Sequence, residues 1–312
     1  MAPKPVITII TPVFNGENYI DETVFSVLNA QISFPYEYIV IDDGSTDSTV
    51  GILNKYIGQI KILSHSNIGE SATVNRGLDV AQGEFVLVIS ADDPLLTGEL
   101  VNQACKILID KPELVAIYPD WRIINDFGQL IKTNVLPEYS DEVMIGRCKC
   151  LPGPGTVFRK SAALEVGGRR AKWKYVGDYD FWLRMSQVGK IIRLPGVLAQ
   201  WRQNQNSTSI SQRGIEMATE RLNVIDDFLA ENDLPLVLGR KALGNSYYLA
   251  ARLAFFDPRV KGKSLLIKAF KFRRGWPDEA RIDVVVYILL MPLSSIVVKP
   301  FKDLIIKINS YR

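Results

Sequence analysis

The chain has 312 residues, 47% of them hydrophobic, with 37 basic and 34 acidic side chains and a formal net charge of +3. That length suits one large α/β domain with an appendage, or two domains. So mild a charge, without a helix-turn-helix, zinc-finger or aromatic RNA-binding signature, excludes nucleic acid as the expected partner. Three cysteines (Cys105, Cys148, Cys150) in no framework spacing fit a reducing compartment. A single histidine, His65, leaves Cys148 and Cys150 short of ligands for zinc. Met1–Pro5 carries no apolar signal-peptide core, so the chain is expected to start in the cytosol.

Val6–Ile10 is a continuous apolar run and reads as the first strand, ending in the turn Thr11-Pro-Val-Phe-Asn-Gly16. Ile20, Val24, Val27 and Leu28 then recur at helical spacing. Tyr38–Ile41 is the second strand. Asp42-Asp-Gly-Ser-Thr-Asp47 follows, with Gly44 at the bend and Ser45 or Thr46 expected to cap a helix through Ile57. Ile60–Leu63 is a third strand, and Asn67-Ile-Gly69 opens a helix to about Ala81. Phe85-Val-Leu-Val-Ile89, bounded by Gly83 and Pro94, reads as a strand buried on both faces. This strand–helix alternation predicts a parallel, doubly wound sheet.

Asp92 and Asp93 fall just past that fourth strand, where open parallel sheets bind ligands. They read either as a polar turn before a helix or as a pair held by Mg²⁺ or Mn²⁺. Asp42–Asp43 and Asp92–Asp93 share one sheet edge, which suggests a single polar crevice. Neither a Gly-x-Gly-x-x-Gly nor a phosphate-loop motif is present. Acids in place of a glycine cradle call for a divalent cation between protein and diphosphate.

After residue 97 a helix is expected to about Ile109, then a strand at Val115–Tyr118 and a hairpin turn at Asn125–Gly128. Residues 130–150 carry no consistent pattern. Pro152-Gly-Pro-Gly-Thr156 is a backbone-exposing loop, and Val157–Ser161 leads into a short helix ending at Gly167-Gly168. In Gly177-Asp-Tyr-Asp-Phe-Trp-Leu-Arg-Met185, Asp178 opens a helix. It reads either as a dipole-matched first-turn acid or as a general base with Asp180 nearby. Leu198–Arg202 resembles a final strand, followed by a polar loop to Ser211. In the tail, Ile215–Leu229 and Lys241–Phe256 read as helices. Val284–Val298 is apolar but short of the roughly 20 residues that span a bilayer, and Pro292 interrupts it. Its basic flanks (Arg273, Arg274, Arg281; Lys299, Lys302, Lys307) suit an interfacial anchor. A helix buried against the rest of the chain or a second subunit is the other reading.

Thr11–Asn15, Val40–Asp47, Asn67–Gly69 with Asn75, Gly83–Asp93, Gly177–Asp180 with Trp182 and Arg184, and Trp201-Arg202 with Ser207 and Ser209 resemble, in order and spacing, the family 2 glycosyltransferases. The likeness covers about residues 5–210. It implies the GT-A fold, an α/β class with a mostly parallel doubly wound sheet and here a helical C-terminal extension. Residues 1–211 would be the catalytic domain, with a nucleotide-sugar half to about 95 and an acceptor half from about 96. Residues 212–312 lie outside the likeness and read, from their own sequence, as a helical region serving a membrane interface or oligomerisation. The resemblance implies inverting transfer from a nucleotide-sugar donor (UDP-sugar ahead of GDP- or dTDP-sugar) to a hydroxyl of a glycan or lipid-linked acceptor. The setting would be cell-surface polysaccharide, lipopolysaccharide or glycolipid assembly, in the cytoplasm or peripherally on the inner face of the plasma membrane.

Carried onto this chain, the resemblance assigns Thr11, Pro12, Phe14, Asn15, Asp43, Asn75, Ala91 and Asp92 to the nucleotide sugar, with Phe14 near the base. Asp92 and Asp93 would hold Mn²⁺ or Mg²⁺. Asp178 would be the catalytic base, and Gly155, Thr156, Asp180 and Trp182 would face the acceptor. Two positions depart from the family: Ser90 replaces the first acid of its metal motif, and Asn204 stands where many relatives carry a histidine. These departures sustain an alternative, a non-catalytic nucleotide-sugar-binding protein. A sugar nucleotidyltransferase fits less well, because Thr11–Gly16 offers neither a glycine-rich loop nor a triphosphate-binding cation.

Overall fold

A computed structural model describes residues 3–203, 214–253 and 259–273. Strands β1 (Ile7–Val13), β2 (Tyr36–Asp42), β3 (Lys61–Ser64) and β4 (Phe85–Val88) run parallel in the spatial order β3-β2-β1-β4. The apolar runs of β1, β2 and β4 are fully buried at Ile7, Ile9, Ile10, Ile39, Val40, Ile41, Phe85, Val86 and Leu87, which is why they lack polar alternation. Helices α1 (Ile20–Leu28), α2 (Thr49–Leu53) and α3 (Glu70–Val80) make the crossovers.

β1 continues through Thr11 and Pro12, which the sequence reading places in a turn. Pro12 is tolerated because β4 pairs with β1 only as far as Ile10, whose carbonyl accepts the Ile89 N–H at 2.9 Å. The missing proline N–H therefore falls on a side of β1 that has already lost its neighbour. Ser45 and Thr46 do not cap α2, which starts later, at Thr49. Asp47 Oδ1 instead accepts the Thr49 N–H at 3.0 Å, and Ser45 and Thr46 bond to Asn15.

The second half of the sheet is built from α4 (Glu99–Asp110), β5 (Leu114–Ile124), β6 (Leu130–Asn134), β7 (Val157–Arg159), α5 (Lys160–Glu165), α6 (Gly177–Val188) and β8 (Lys190–Arg202). β7 is antiparallel to both β4 and β5, β5 and β6 form the expected hairpin through Asn125–Gly128, and β8 runs parallel to β5. The register Leu87↔Val157 brings Gly155 and Thr156 beside the carboxyl end of β4. Residues 1–139 and 150–205 form one compact unit.

Residues 140–149 group with 206–312 in a second unit. Its described part is α7 (Gly214–Glu231), α8 (Leu236–Arg252), α9 (Gly262–Arg273) and a π-helical turn at Glu142–Gly146. Asn245, buried in α8, donates to the Gly146 carbonyl at 2.7 Å, and Lys241 pairs with Glu142. No described helix is long and apolar enough to cross a membrane. The expectations for Asn204, Ser207, Ser209, the end of the second tail helix and the apolar stretch 284–298 lie outside the described residues.

Candidate active site

The loops after β1 and β2 interlock at the carboxyl edge of the sheet. Asn15 takes a left-handed bend (φ 50°), which lets its Oδ1 accept the Thr46 N–H at 2.8 Å while its own N–H donates to Ser45 Oγ at 2.9 Å. Asp47 accepts from the Glu17 and Thr49 N–H groups, and Glu17 accepts the Ser48 N–H. Burial alone would raise the Asp47 carboxyl, but its bonds from Thr49 and Glu17 outweigh that and hold it below the usual carboxylate range. Phe14 stands half-exposed at the rim. Thr11, by contrast, is fully buried with its hydroxyl 3.0 Å from Tyr38 Oη. Asp43 is buried at 4% exposure and accepts the Ile68 and Gly69 N–H groups at 2.7 and 3.0 Å, with His65 Nδ1 3.3 Å away. It ties the end of β2 to the start of α3.

Beyond β4, Ala91 gives its carbonyl to Thr23 Oγ1 at 2.8 Å, Asp92 is half-buried and Asp93 is buried. Asp93 accepts the Arg202 N–H at 2.7 Å and a bond from the Ser90 side chain. Burial first, and the charge of Asp92 second, push the Asp93 carboxyl well above the usual range. Sequence reasoning gave no role to the side chain that organises this bend. Arg202 is 1% exposed. Its guanidinium donates to the Asp92 carbonyl (2.8 Å), the Asn125 and Asp126 carbonyls (3.1 and 2.9 Å) and Glu22 Oε2 (2.7 Å), and it lies 4.9 Å from the Tyr19 ring centroid. Gln200 adds a bond to the Pro94 carbonyl at 2.8 Å. Trp201-Arg202, among the residues that carry the resemblance, was the available signal.

Asp178 is exposed in the first turn of α6, where its Oδ1 accepts the Tyr179 N–H at 2.7 Å. A β-carbon on Gly177 would lie 3.3 Å from Ser71 Oγ, in the first turn of α3. The start of α6 therefore sits at the carboxyl edge of the parallel strands, with Asp43 and Asp92. Asp180 is 3% exposed and accepts two bonds from Arg184, at 2.6 and 3.0 Å; Arg184 in turn holds the Val166 and Gly168 carbonyls. Trp182 is buried edge-on against Phe158 and Phe181. Thr156 is buried and hooked to Gly153, while Gly155 packs against Ala199 and Leu100. Asn75 Oδ1 accepts the Arg169 N–H at 2.8 Å and its Nδ2 donates to the Arg169 carbonyl at 2.7 Å. Gly168 (φ +68°) is required there, since a β-carbon would come 2.4 Å from Asn75 Oδ1. Asn75, Asp180 and Trp182 are thus engaged in packing this corner, while Phe14, Asp92 and Asp178 present surface.

For a divalent cation, no group of three acids, histidines or cysteines comes together among the described residues. Asp92, half-buried just past the carboxyl end of β4, with the buried Asp93 beside it, supplies the hard oxygen donor that such an ion takes when substrate phosphates and water complete its shell.

The profile of the family described as Glycosyl transferase family 2 matches residues 8–174. The sequence is 29% identical over 216 residues to the hyaluronan synthase of Pasteurella multocida, covering 68% of this chain and 22% of that protein. It is 29% identical over 210 residues to the chondroitin synthase of P. multocida strain Pm70, covering 66% and 21%. The chain thus spans about a fifth of the length of these relatives. Among solved structures, S. aureus TarS 1–349 in complex with UDP-GlcNAc aligns with a TM-score of 0.66 at 18% identity, over 85% of this chain and 80% of that one. The mannosyltransferase PcManGT from Pyrobaculum calidifontis, in complex with GDP-Man and Mn²⁺, aligns with a TM-score of 0.54 at 14% identity, over 87% and 88%. At these identities the likeness shows the fold, GT-A.

Proposed function

Because the chain belongs to glycosyl transferase family 2, we propose that it moves a sugar from a nucleoside-diphosphate sugar to an acceptor hydroxyl in glycan assembly, with inversion at the anomeric carbon. The observation that carries the reading is the exposed carboxylate of Asp178 at the edge where Asp92 follows β4. Asp178 takes the proton of the acceptor hydroxyl as that oxygen bonds to the anomeric carbon. The bond from that carbon to the diphosphate oxygen breaks on the opposite face, and its electrons leave with the nucleoside diphosphate. One displacement with one base inverts the centre and needs no covalent nucleophile. Asp92, backed by Asp93, would hold Mn²⁺ or Mg²⁺, which when bound neutralises the leaving diphosphate.

Phe14 offers an aromatic face to the nucleobase. Thr11, Asn15 and Asp43 act at one remove, by fixing the loops that frame the donor, and Asn75 by fixing the loop from Arg169 that leads to Asp178. Gly155 and Thr156 shape the loop on the acceptor side. A UDP-sugar is the donor we favour, as TarS was solved with UDP-GlcNAc and the two synthases are named for hyaluronan and chondroitin. The basic-flanked apolar stretch 284–298 supports work at the cytoplasmic face of a membrane.

Thermal unfolding with UDP, GDP or dTDP, each with and without Mn²⁺, tests the donor site. A ligand at a hundred times its dissociation constant adds about 2.7 kcal/mol. Stabilisation by UDP that grows with Mn²⁺ is expected. No shift with any nucleotide contradicts the assignment, and a shift without turnover selects the non-catalytic alternative.

A further inference from the structure

Helix α9 packs one side on α8 and leaves the other to solvent. Leu266 and Ala269 are buried, and Phe272 stacks on Tyr247 of α8 with ring centroids 5.4 Å apart. Lys263, Ile267 and Lys271 are exposed. Steps of four residues put these three on one face, and the two lysines stand about 12 Å apart along the axis. Neither lysine side chain has a hydrogen-bond or ion-pair partner among the described residues. Lys268 is set aside, because it lies 5.3 Å from the Tyr247 ring centroid and close to Asp226 of α7. Neither α8 nor α9 contains an acidic residue, whereas α7 carries Glu216, Glu220, Asp226, Asp227 and Glu231.

α9 runs antiparallel to α8. Val260 and Leu265 gather with Ala250 and Leu253, while a β-carbon on Gly244 would lie 2.7 Å from that of Arg273. The chain therefore leaves α9 toward the end of α8 where Leu236 and Val237 are exposed. In sequence it then carries Arg274 and Arg281 and enters the apolar stretch Val284–Val298. Unpaired lysines around an exposed aliphatic residue suit a lipid surface, where the ammonium groups meet headgroup phosphates and isoleucine enters the apolar boundary. A nucleic acid would satisfy the lysines and give nothing to Ile267 or to the apolar stretch. Resting on the reading of the tail as working at a membrane face, we propose that the Lys263–Ile267–Lys271 face of α9 binds the headgroups of anionic lipid.

The test is cosedimentation of the full chain, without donor, with vesicles of phosphatidylcholine alone or with about 30% phosphatidylglycerol. Wild type should bind the anionic vesicles more tightly, and the preference should shrink as NaCl rises from about 0.1 M to about 0.5 M. Each lysine near an anionic surface adds about five-fold in affinity, so Lys263→Ala with Lys271→Ala should weaken binding to anionic vesicles about 30-fold. The same variant should keep its UDP affinity and its binding to neutral vesicles, and Lys263→Arg with Lys271→Arg should bind as wild type does. Ile267→Ser should weaken binding to both vesicles a few-fold. If wild type binds vesicles and the alanine pair binds them equally well, this face is overturned while the membrane-face reading stands. If wild type binds neither vesicle, both fall. A DNA duplex bound as tightly as the anionic vesicles would also overturn the assignment to lipid. Binding is read apart from transfer, so an absence of glycosyl transfer would count against the enzymatic reading and not against α9.

Discussion

Replacing Arg202 with methionine tests the most connected side chain at the sheet edge. Methionine keeps the apolar stem at a site only 1% exposed but offers no donor. The carbonyls of Asp92, Asn125 and Asp126 each lose a bond, at about 1 kcal/mol apiece. The contact with the Tyr19 ring contributes about 1 kcal/mol more. Glu22 is half-exposed, so its ion pair adds less than about 1 kcal/mol. The sum is a loss of about 3–5 kcal/mol. Urea unfolding followed by tryptophan emission suits the question, since Trp201 adjoins Arg202 and meets Trp121 edge-on at 6.1 Å. Arg202→Lys should recover less than half of the loss, because one ammonium does not span carbonyls on two loops. UDP affinity in Mn²⁺ should fall too, as the Asp92 main chain is one of the groups released. A loss under about 1 kcal/mol for Arg202→Met would refute the clamp.

Other outcomes follow from the same contacts. Asn75→Ala should lower stability by about 1–3 kcal/mol through the freed Arg169 peptide, slowing transfer while UDP affinity holds; a selective loss of UDP affinity in calorimetry would mean that Asn75 touches the donor after all. Asp92→Ala should weaken UDP binding in Mn²⁺ more than in its absence, read by the same titration. Asp120 is 3% exposed; burial would raise its carboxyl, but bonds from Arg193, Leu136 and Gly196 hold it below the usual range. A depressed folded value means that this stabilisation is complete above the unfolded value of about 3.9 and drains away as pH falls below it. Asp120→Asn should therefore flatten the acid limb of a stability–pH curve, and an unchanged limb would argue against that pairing.

β1, β2 and β4 were legible because strands buried on both faces leave unbroken apolar runs, as at Ile39–Ile41 and Phe85–Leu87; the edge strand β3 shows only as Ile62-Leu63. β5 and β8 were read short. Both continue through Pro119–Asp120 and Pro195–Gly196, where bulges in their mutual register absorb residues that otherwise mark turns. β7 has three residues and draws its strand character wholly from β4 and β5 on either side. The candidate site was legible by residue type and not by partner. Asn75 meets Arg169 across 94 positions and Arg202 meets Glu22 across 180, distances that no periodicity reports. Acids that read alike in sequence, Asp178 and Asp180, separate only in the fold: one exposed at the helix start, the other locked on Arg184.

The measurement closest to the central claim is release of nucleoside diphosphate from a panel of nucleotide sugars, with acceptor present, by the wild-type chain and by Asp178→Asn, beside UDP binding by calorimetry for both. Wild type should turn over one donor class. The variant should lose about 10²-fold or more in rate while keeping its UDP affinity. Near-normal turnover by the variant would remove Asp178 as the base, and a parallel loss of UDP affinity would place it on the donor instead.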